Sequence, residues 1–211
     1  MGAGQPTFTY SAAQLARLEM FLSKERLSSY AKATPEETIK NYERNTILSE
    51  ALYGLLQGVE IAVRNSIHNA LTTGLSHSDW YSYIPWQKPE LDALDQAKDK
   101  LVRRGKVLAA GAIVAELPFG FWLQTVARKY EKSLWVPYVH KAFPNISTDQ
   151  KGLFRRLDQI RELRNRIAHH ERILHFNLPL EYTQAIEVIK WICPITAAWV
   201  DVTNRMKANL A

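Results

Sequence analysis

Apolar residues recur at spacings of three and four along almost the whole chain, while the alternating β-branched runs that indicate strands hardly occur. The clearest run begins at Thr34-Pro35-Glu36-Glu37, where a capping hydroxyl, a proline and two acids form a strong helix start. It continues to about Leu75 and predicts one very long helix over about 35–75, which Gly54 and Gly58 could bend. The pattern therefore predicts an all-α fold.

Shorter helices are predicted on both sides of this long one. Turn and loop signals separate them at about 11–28, 88–105, 107–142, 148–170 and 180–209. An aromatic loop over 76–86 precedes the second of these helices, and Pro118-Phe119-Gly120 breaks the third. Ser147 or Thr148 is the predicted cap of the helix over about 148–170.

The helix over about 148–170 is amphipathic. At about 100° per residue, one apolar sector contains Leu153, Leu157, Ile160, Leu163 and Ile167. Arg164 falls inside this sector, and a buried guanidinium needs a partner, for which Glu60 is the best candidate. Exposure at a dimer seam is the alternative. A second face, which could hold a phosphate, contains Asp158, Arg161, Asn165, His169 and Arg172.

Length and composition favour a single domain over 1–211. The 211 residues are 46% hydrophobic, which is enough for one well-packed core, and no linker or repeat divides them. Residues 1–10 lack a helical pattern and are predicted to be a disordered lead or an expression remnant. Lys and Arg outnumber Asp and Glu by 27 to 21, and this net charge of +6 suits a polyanionic partner.

Cysteine usage and hydropathy point to the cytoplasm. Cys193 is the single cysteine, so neither an intrachain disulfide nor a zinc knuckle can form. The N-terminus has no signal-peptide pattern, and no apolar run of about 18 residues is present, so we expect no export and no membrane span. The sequence contains no metal-ligand constellation, and we expect neither a metal nor a cofactor.

The segment Arg164-Asn165-Arg166-Ile167-Ala168-His169 carries the most specific chemistry. It lies within Leu163–Arg172, which resembles the motif of the Abi-like (abortive-infection) branch of the HEPN superfamily: Leu-Arg-Asn, two variable residues, Ala-His-His, one variable residue and Arg. Glu60–Asn65 in the long helix and the aromatic-glycine segment Glu116–Trp122 strengthen the resemblance, which spans about Leu15 to Ile173.

The resemblance implies a HEPN-type helical bundle that dimerises and cuts single-stranded or looped RNA without a metal, using Arg164, Asn165 and His169. This reaction needs a base for the 2′-hydroxyl, a cation for the phosphorane and an acid for the 5′-oxygen. An imidazole titrates near about 6.5, so His169 can act as base or acid. Arg164 can grip two phosphate oxygens, and Asn165 can position the phosphate or the histidine.

Helix geometry leaves the histidine assignment open. On an ideal helix Arg164 and His169 point about 140° apart, so they cannot both touch one phosphate. Three resolutions are possible: the helix ends or distorts near Ala168-His169, the two residues act from different protomers, or one of them is structural. His170 competes for the histidine role.

Five further residues are predicted to support RNA binding or to position the motif: Glu60, Arg64, Arg161, His170 and Arg172. Arg64 lies four residues from both Glu60 and His68, on one helical face. We expect Arg64 to be structural and paired with Glu60 or with an acid on the motif helix, and a second active site is the alternative.

Two other clusters have both a structural and a functional interpretation. The aromatic residues of the 76–86 loop are expected to pack that loop, with base stacking as the alternative. A basic end of the 88–105 helix is expected to be a solvated face, with phosphate contact as the alternative. It contains Lys98, Lys100, Arg103, Arg104 and Lys106.

The leading functional hypothesis is a ribonuclease toxin or phage-defence effector. Its expected partners are RNA, possibly tRNA or another structured RNA, a second copy of the chain, and a protein or RNA antitoxin. The alternative is a non-catalytic HEPN module that binds RNA or a protein. A third interpretation is a structural dimer in which the Arg/His cluster seals the interface.

Overall fold

The computed structural model describes residues 10–206, within which all regular secondary structure is helical. The predicted all-α fold is therefore confirmed for this part of the chain. The prediction for 1–10 falls almost entirely outside the described residues. The α-helices are α1 (Ala12–Leu22), α2 (Lys24–Ser28), α3 (Pro35–Leu75), α4 (Lys88–Arg103), α5 (Ala110–Glu116), α6 (Phe119–Thr125), α7 (Gln150–Ala168), α8 (Leu178–Ile192) and α9 (Pro194–Thr203).

The long helix α3 begins and ends where the sequence predicts. Its first turn is closed by a capping box, in which Glu37 N donates to Thr34 Oγ1 at 3.2 Å and Thr34 N donates to Glu37 Oε2 at 3.1 Å. One apolar stripe of α3 is buried, and the helix packs against α6, α7, α8 and α9. It is therefore the element around which the others are arranged.

Within the described residues, α3 is also the one helix that is long and apolar enough to cross a membrane by length and composition. Its most apolar window has a mean hydropathy of 1.2, and 39% of that window is buried. Leu52, Val59 and Val63, which contribute to this hydropathy, are fully buried in the protein core. Packing against the neighbouring helices thus accounts for these apolar residues.

Two of the three glycines of α3, Gly54 and Gly58, lie beside α9 and its C-terminal segment. A Cβ at Gly58 would lie 3.1 Å from Val200 Cγ2, and one at Gly54 would lie 3.7 Å from Asn204 Nδ2. The helix continues through both positions. Gly58 therefore permits a close approach of α9 to α3 that a larger side chain would hinder.

The predicted last helix over 180–209 is wrong, because the chain forms two helices there. The first, α8, starts two residues earlier, with Asn177 Oδ1 accepting from Leu180 N. Cys193 is extended, with φ −152° and ψ 113°, and Pro194 begins α9. A proline disfavours helical backbone in the residue before it and has no N–H to continue the helix, which explains the break.

The predicted helical stretch over 107–142 is only partly correct. Short helices α5 and α6 flank the predicted break at Pro118, but beyond Thr125 the chain forms short 3-10 and π turns. These occupy Arg128–Tyr130, Glu131–Trp135 and Val139–Ala142. Pro137, which lacks an N–H, lies between the last two turns and interrupts regular hydrogen bonding there.

The structural interpretation of the aromatic loop is confirmed for its largest side chains. Trp80, Tyr81 and Trp86 are buried and contact one another edge to face around Trp80. Tyr83 is exposed and stacks on His77 with ring centroids 4.3 Å apart. Three of the four Trp and Tyr rings of this loop therefore pack in the protein core.

The basic end of α4 is partly neutralised by carboxylates, with Lys98 paired to Asp95 of the same helix. Lys100 and Arg104 both form ion pairs with Glu116 of α5. Lys100 and Arg104 therefore link the end of α4 to α5. This basic end is not a purely solvated face.

Candidate functional site

The motif helix α7 is capped by a residue other than the two predicted. Asp149 Oδ1 accepts from Gly152 N at 2.7 Å, whereas Ser147 Oγ accepts from Trp191 Nε1 at 3.1 Å. The predicted caps Ser147 and Thr148 are therefore wrong. The predicted apolar sector is confirmed, because all five of its members are buried: Leu153, Leu157, Ile160, Leu163 and Ile167.

Helix α7 ends within the motif. His170 N donates to Ile167 O at 3.1 Å and Glu171 N donates to Arg166 O at 2.8 Å, the hydrogen bonds of a Schellman turn. His170 occupies the left-handed position, with φ 57°, which usually favours glycine. The expectation that the helix ends near Ala168-His169 is confirmed, and His169 and His170 belong to the turn.

Two side chains from other helices hold this turn in place. Asn45, which is buried in α3, accepts from Ile173 N at 2.8 Å and donates to Glu171 O at 3.3 Å. Arg26 of α2 donates from Nη1 to the carbonyl oxygen of His170 at 2.9 Å. Tertiary contacts thus support the left-handed backbone at His170, which costs a non-glycine residue about 1–2 kcal/mol.

A groove of about 1080 Å³ lies between α3, the C-terminal end of α7 and the segment that follows α9. Thr203, Asn204 and Arg205 line the side of the groove formed by the α9 end. The structure brings four of the eight predicted site residues together here: Glu60, Arg64, Arg164 and His170. We call this feature the α3/α7 groove.

Arg164 and Glu60 form an ion pair across this groove. Nε of Arg164 lies 3.3 Å from Oε2 of Glu60, which confirms Glu60 as the predicted partner. The two side chains remain 41% and 27% exposed, so Arg164 lies at the groove rather than in the core. Its Nη1 also donates to Asn165 Oδ1 at 3.5 Å.

The predicted pairing of Arg64 with a carboxylate is wrong. Arg64 Nε donates to Asn65 Oδ1 at 3.1 Å, and no carboxylate lies within 4.0 Å of its guanidinium among residues 10–206. The nearest predicted partner, Glu60, is instead engaged with Arg164. Arg64 therefore contributes a positive charge to the groove, and no ion pair with the described residues neutralises it.

His68, one turn beyond Arg64, has a structural role. Its Nδ1 accepts a hydrogen bond from Trp80 Nε1 at 2.9 Å. Burial lowers the pKa of His68, and the neighbouring Arg64 guanidinium lowers it further. A neutral imidazole that accepts from a buried tryptophan favours packing over a second active site.

The remaining predicted residues lie outside the groove lining. Arg161 is bound by Asp158, with Nε and Nη2 at 2.9 and 2.6 Å from Oδ1. His169 is exposed at the end of α7. Arg172 follows the turn, and its buried Nε has no hydrogen-bond acceptor within 10–206. The predicted second face therefore does not extend to Arg172, because α7 has ended four residues earlier.

Sequence reasoning missed two residues that shape this site. Asn45 is three residues before Leu48 and seven before Leu52, so it stands as a polar residue on the buried stripe of α3. A polar residue on a buried stripe usually has a hydrogen-bond partner, so this role of Asn45 could have been predicted from the sequence. Tyr53 is an exposed aromatic of the groove lining, and the linear pattern offered no signal for it.

Within residues 10–206 no group of three or more His, Cys, Asp or Glu side chains could hold a metal ion. No model of a known family, no curated protein and no solved structure matches this chain. The likeness to the Abi-like family therefore depends on the motif residues, and the function derived from it is a proposal.

Proposed function

We propose that this chain is a metal-independent endoribonuclease of the HEPN, Abi-like type, which cleaves RNA by attack of a 2′-hydroxyl on the adjacent phosphate. The observation that carries the proposal is the α3/α7 groove, where Arg64, Arg164 and His170 lie together beside Glu60. Two guanidiniums and an imidazole are the groups that such a reaction needs to stabilise charge and move protons.

In the proposed reaction an imidazole accepts the 2′-hydroxyl proton while O2′ bonds to phosphorus and the P–O5′ bond breaks. The departing 5′-oxygen takes a proton from a second acid. The products are a 2′,3′-cyclic phosphate and a 5′-hydroxyl. Arg164 and Arg64 bind the non-bridging phosphate oxygens, where negative charge increases in the transition state. Glu60 orients the Arg164 guanidinium, and Asn165 positions it from the same helix.

The turn at the end of α7 offers two adjacent histidines for proton transfer. The motif assigns this role to His169, whereas His170 is the histidine that lines the groove. A homodimer would bring a second motif to the cleft, so that one imidazole acts as base and another as acid. Arg161 and Arg172 then extend phosphate binding beyond the reacting centre.

The resemblance also supports a biological setting for this activity. We propose a toxin or phage-defence effector in the cytoplasm, acting on cellular RNA such as tRNA or another structured RNA. A separate protein or RNA antitoxin would hold it in check. The net charge of +6 suits a polyanionic substrate.

RNA cleavage in EDTA tests the proposal directly. Purified protein is incubated with a mixed RNA substrate, and the cut ends are analysed for cyclic phosphate. Arg164→Ala is expected to lower the cleavage rate about 100-fold or more, and His169→Ala and His170→Ala identify the histidine that acts. Arg155→Ala is the matched control, because Arg155 is an exposed arginine of α7 outside the groove. Cleavage that survives all three substitutions at the motif would refute the proposal.

The ion pairs of the motif favour one alternative, a non-catalytic module that binds RNA or a protein. Arg164 is paired with Glu60 of α3, and Arg161 is paired with Asp158 of its own helix, as expected of residues with a structural role. Under this alternative RNA binds with strong salt dependence and is recovered intact, and Arg164→Ala lowers the melting temperature rather than a cleavage rate.

A further inference from the structure

We infer that Tyr53 is the platform on which an unpaired RNA base stacks while a phosphate of the same strand contacts Arg64 and Arg164. This inference rests on the proposed function and adds to it a base-binding residue. Tyr53 lines the α3/α7 groove and is 66% exposed. Its ring makes no hydrogen bond or ring contact with any other residue in the described part of the chain.

The spacing along α3 places Tyr53 and Arg64 on one face of the helix. Tyr53, Gln57, Glu60 and Arg64 follow one another at intervals of four, three and four residues, and all four line the groove. Tyr53 and Arg64 are thus three helical turns apart, or about 16 Å along the axis. This distance exceeds the span of one nucleotide, so the base on Tyr53 belongs to a neighbour of the nucleotide that is cut.

Charge is distributed unevenly along the groove. Two of the three arginines of the groove lining, Arg64 and Arg164, lie at one end beside Glu60, whereas Glu50 lies one turn before Tyr53 at the other. The third, Arg205, belongs to the wall formed by the segment after α9. The carboxylate of Glu50 repels a phosphate from the tyrosine end and can accept hydrogen bonds from base amino groups or ribose hydroxyls. A short RNA strand, which has anionic phosphates and aromatic bases, matches these features better than an apolar peptide does.

Apolar residues accompany Tyr53 in the groove lining. Ala51 and Leu56 belong to the groove lining, and Gly54, which lies beside Asn204, has no side chain of its own in the groove. The segment Thr203–Arg205 forms the opposite wall. Stacking on an exposed aromatic ring tolerates any base, so Tyr53 would bind unpaired RNA with little sequence preference.

Binding of a cleavage-resistant RNA tests this inference. The probe is a short single-stranded RNA with 2′-O-methyl riboses, which lack the attacking hydroxyl, and affinity is measured by fluorescence anisotropy. Tyr53→Ala is expected to weaken binding about 10-fold, whereas Tyr53→Phe and Tyr53→Trp retain it. Tyr83→Ala, at a tyrosine that is also exposed but lies outside the groove, is the matched control and is expected to bind like the parent protein.

An abasic scan of the probe makes the assignment specific. At one position, removal of the base is expected to weaken binding to the parent protein about 10-fold and to leave binding to Tyr53→Ala unchanged. Equal binding by Tyr53→Ala, or an abasic effect that persists in this variant, would overturn the inference. The molecular mass in solution gives a further check. If Tyr53→Ala is a monomer where the parent protein is a dimer, and its RNA affinity is unchanged, the ring contacts a second copy of the chain and the inference is overturned. Failure of the parent protein to cut unmodified RNA in EDTA refutes the proposed function separately.

Discussion

The Nε atom of Arg164 lies 3.3 Å from Oε2 of Glu60, so the motif arginine of α7 is paired with a carboxylate of α3. The pair joins the two helices that form the groove. Exposed ion pairs contribute only about 0–1 kcal/mol to stability, because water screens the charges. The main consequence of this pair therefore concerns the position of the guanidinium and the net charge of the groove.

Glu60→Gln is expected to strengthen RNA binding and to make its salt dependence steeper by about one counterion, because Arg164 loses its neutralising partner. The free energy of unfolding should change by less than about 1 kcal/mol. RNA titrations at several salt concentrations measure both binding effects. Glu36→Gln is the control, since it removes the same charge from an ion pair with Lys40 elsewhere on α3. Identical behaviour of the two variants would contradict the prediction.

Asn45→Ala is expected to lower the free energy of unfolding by about 2–3 kcal/mol, because it leaves the buried Ile173 N–H without an acceptor and removes the bond to Glu171. Urea unfolding measures this loss. Asn41→Ala, which removes one hydrogen bond to Tyr30 O, is expected to cost about half as much. A smaller loss at position 45 than at position 41 would show that Asn45 does not secure the turn.

His170→Gly is expected to raise the free energy of unfolding by about 1 kcal/mol, since glycine adopts the left-handed backbone without strain. His169→Gly should give no gain, because φ is −94° there. Thermal unfolding measures both changes. If His170 is the base, the stabilised variant loses RNA cleavage, and the loss cannot be ascribed to misfolding. A destabilised His170→Gly would contradict the assigned turn.

Glu181→Gln is expected to stabilise the protein at neutral pH. Glu181 is 9% exposed, its Oε2 has no hydrogen-bond partner within 10–206, and burial raises its pKa above the ordinary 4.5 despite the nearby Arg156. A carboxyl with a raised pKa in the folded state favours folding below 4.5, and this contribution is lost as the pH rises through the raised value.

Unfolding of Glu181→Gln and the parent protein in urea at about pH 4 and about pH 8 tests this dependence. The advantage of the variant should be present at the higher pH and should shrink at the lower one. Glu131→Gln, at an exposed carboxylate, is the control and should change little. An advantage of equal size at both pH values would exclude titration of Glu181 as its cause.

Helix positions were predictable where the signals act within a few residues. The box of Thr34 and Glu37 starts α3, and the spacing of apolar residues correctly assigns the buried sector of α7. The errors arose where apolar spacing continued across a local break. The helix is interrupted at Cys193-Pro194, but apolar residues continue at helical spacing on both sides, so the pattern predicted one helix where α8 and α9 form.

The sequence by itself determined the all-α class, the long helix α3 and the amphipathic face of α7, and it offered Glu60 as a candidate partner of Arg164. These follow from backbone hydrogen bonding, periodicity and the cost of an unpaired charge, which act locally or on single residues. Only the tertiary structure decided that Glu60 is paired with Arg164 while Arg64 is not, that Asn45 secures the motif turn, and that His170 lines the groove. Those outcomes depend on how helices distant in sequence rotate and pack against each other, which no local pattern encodes.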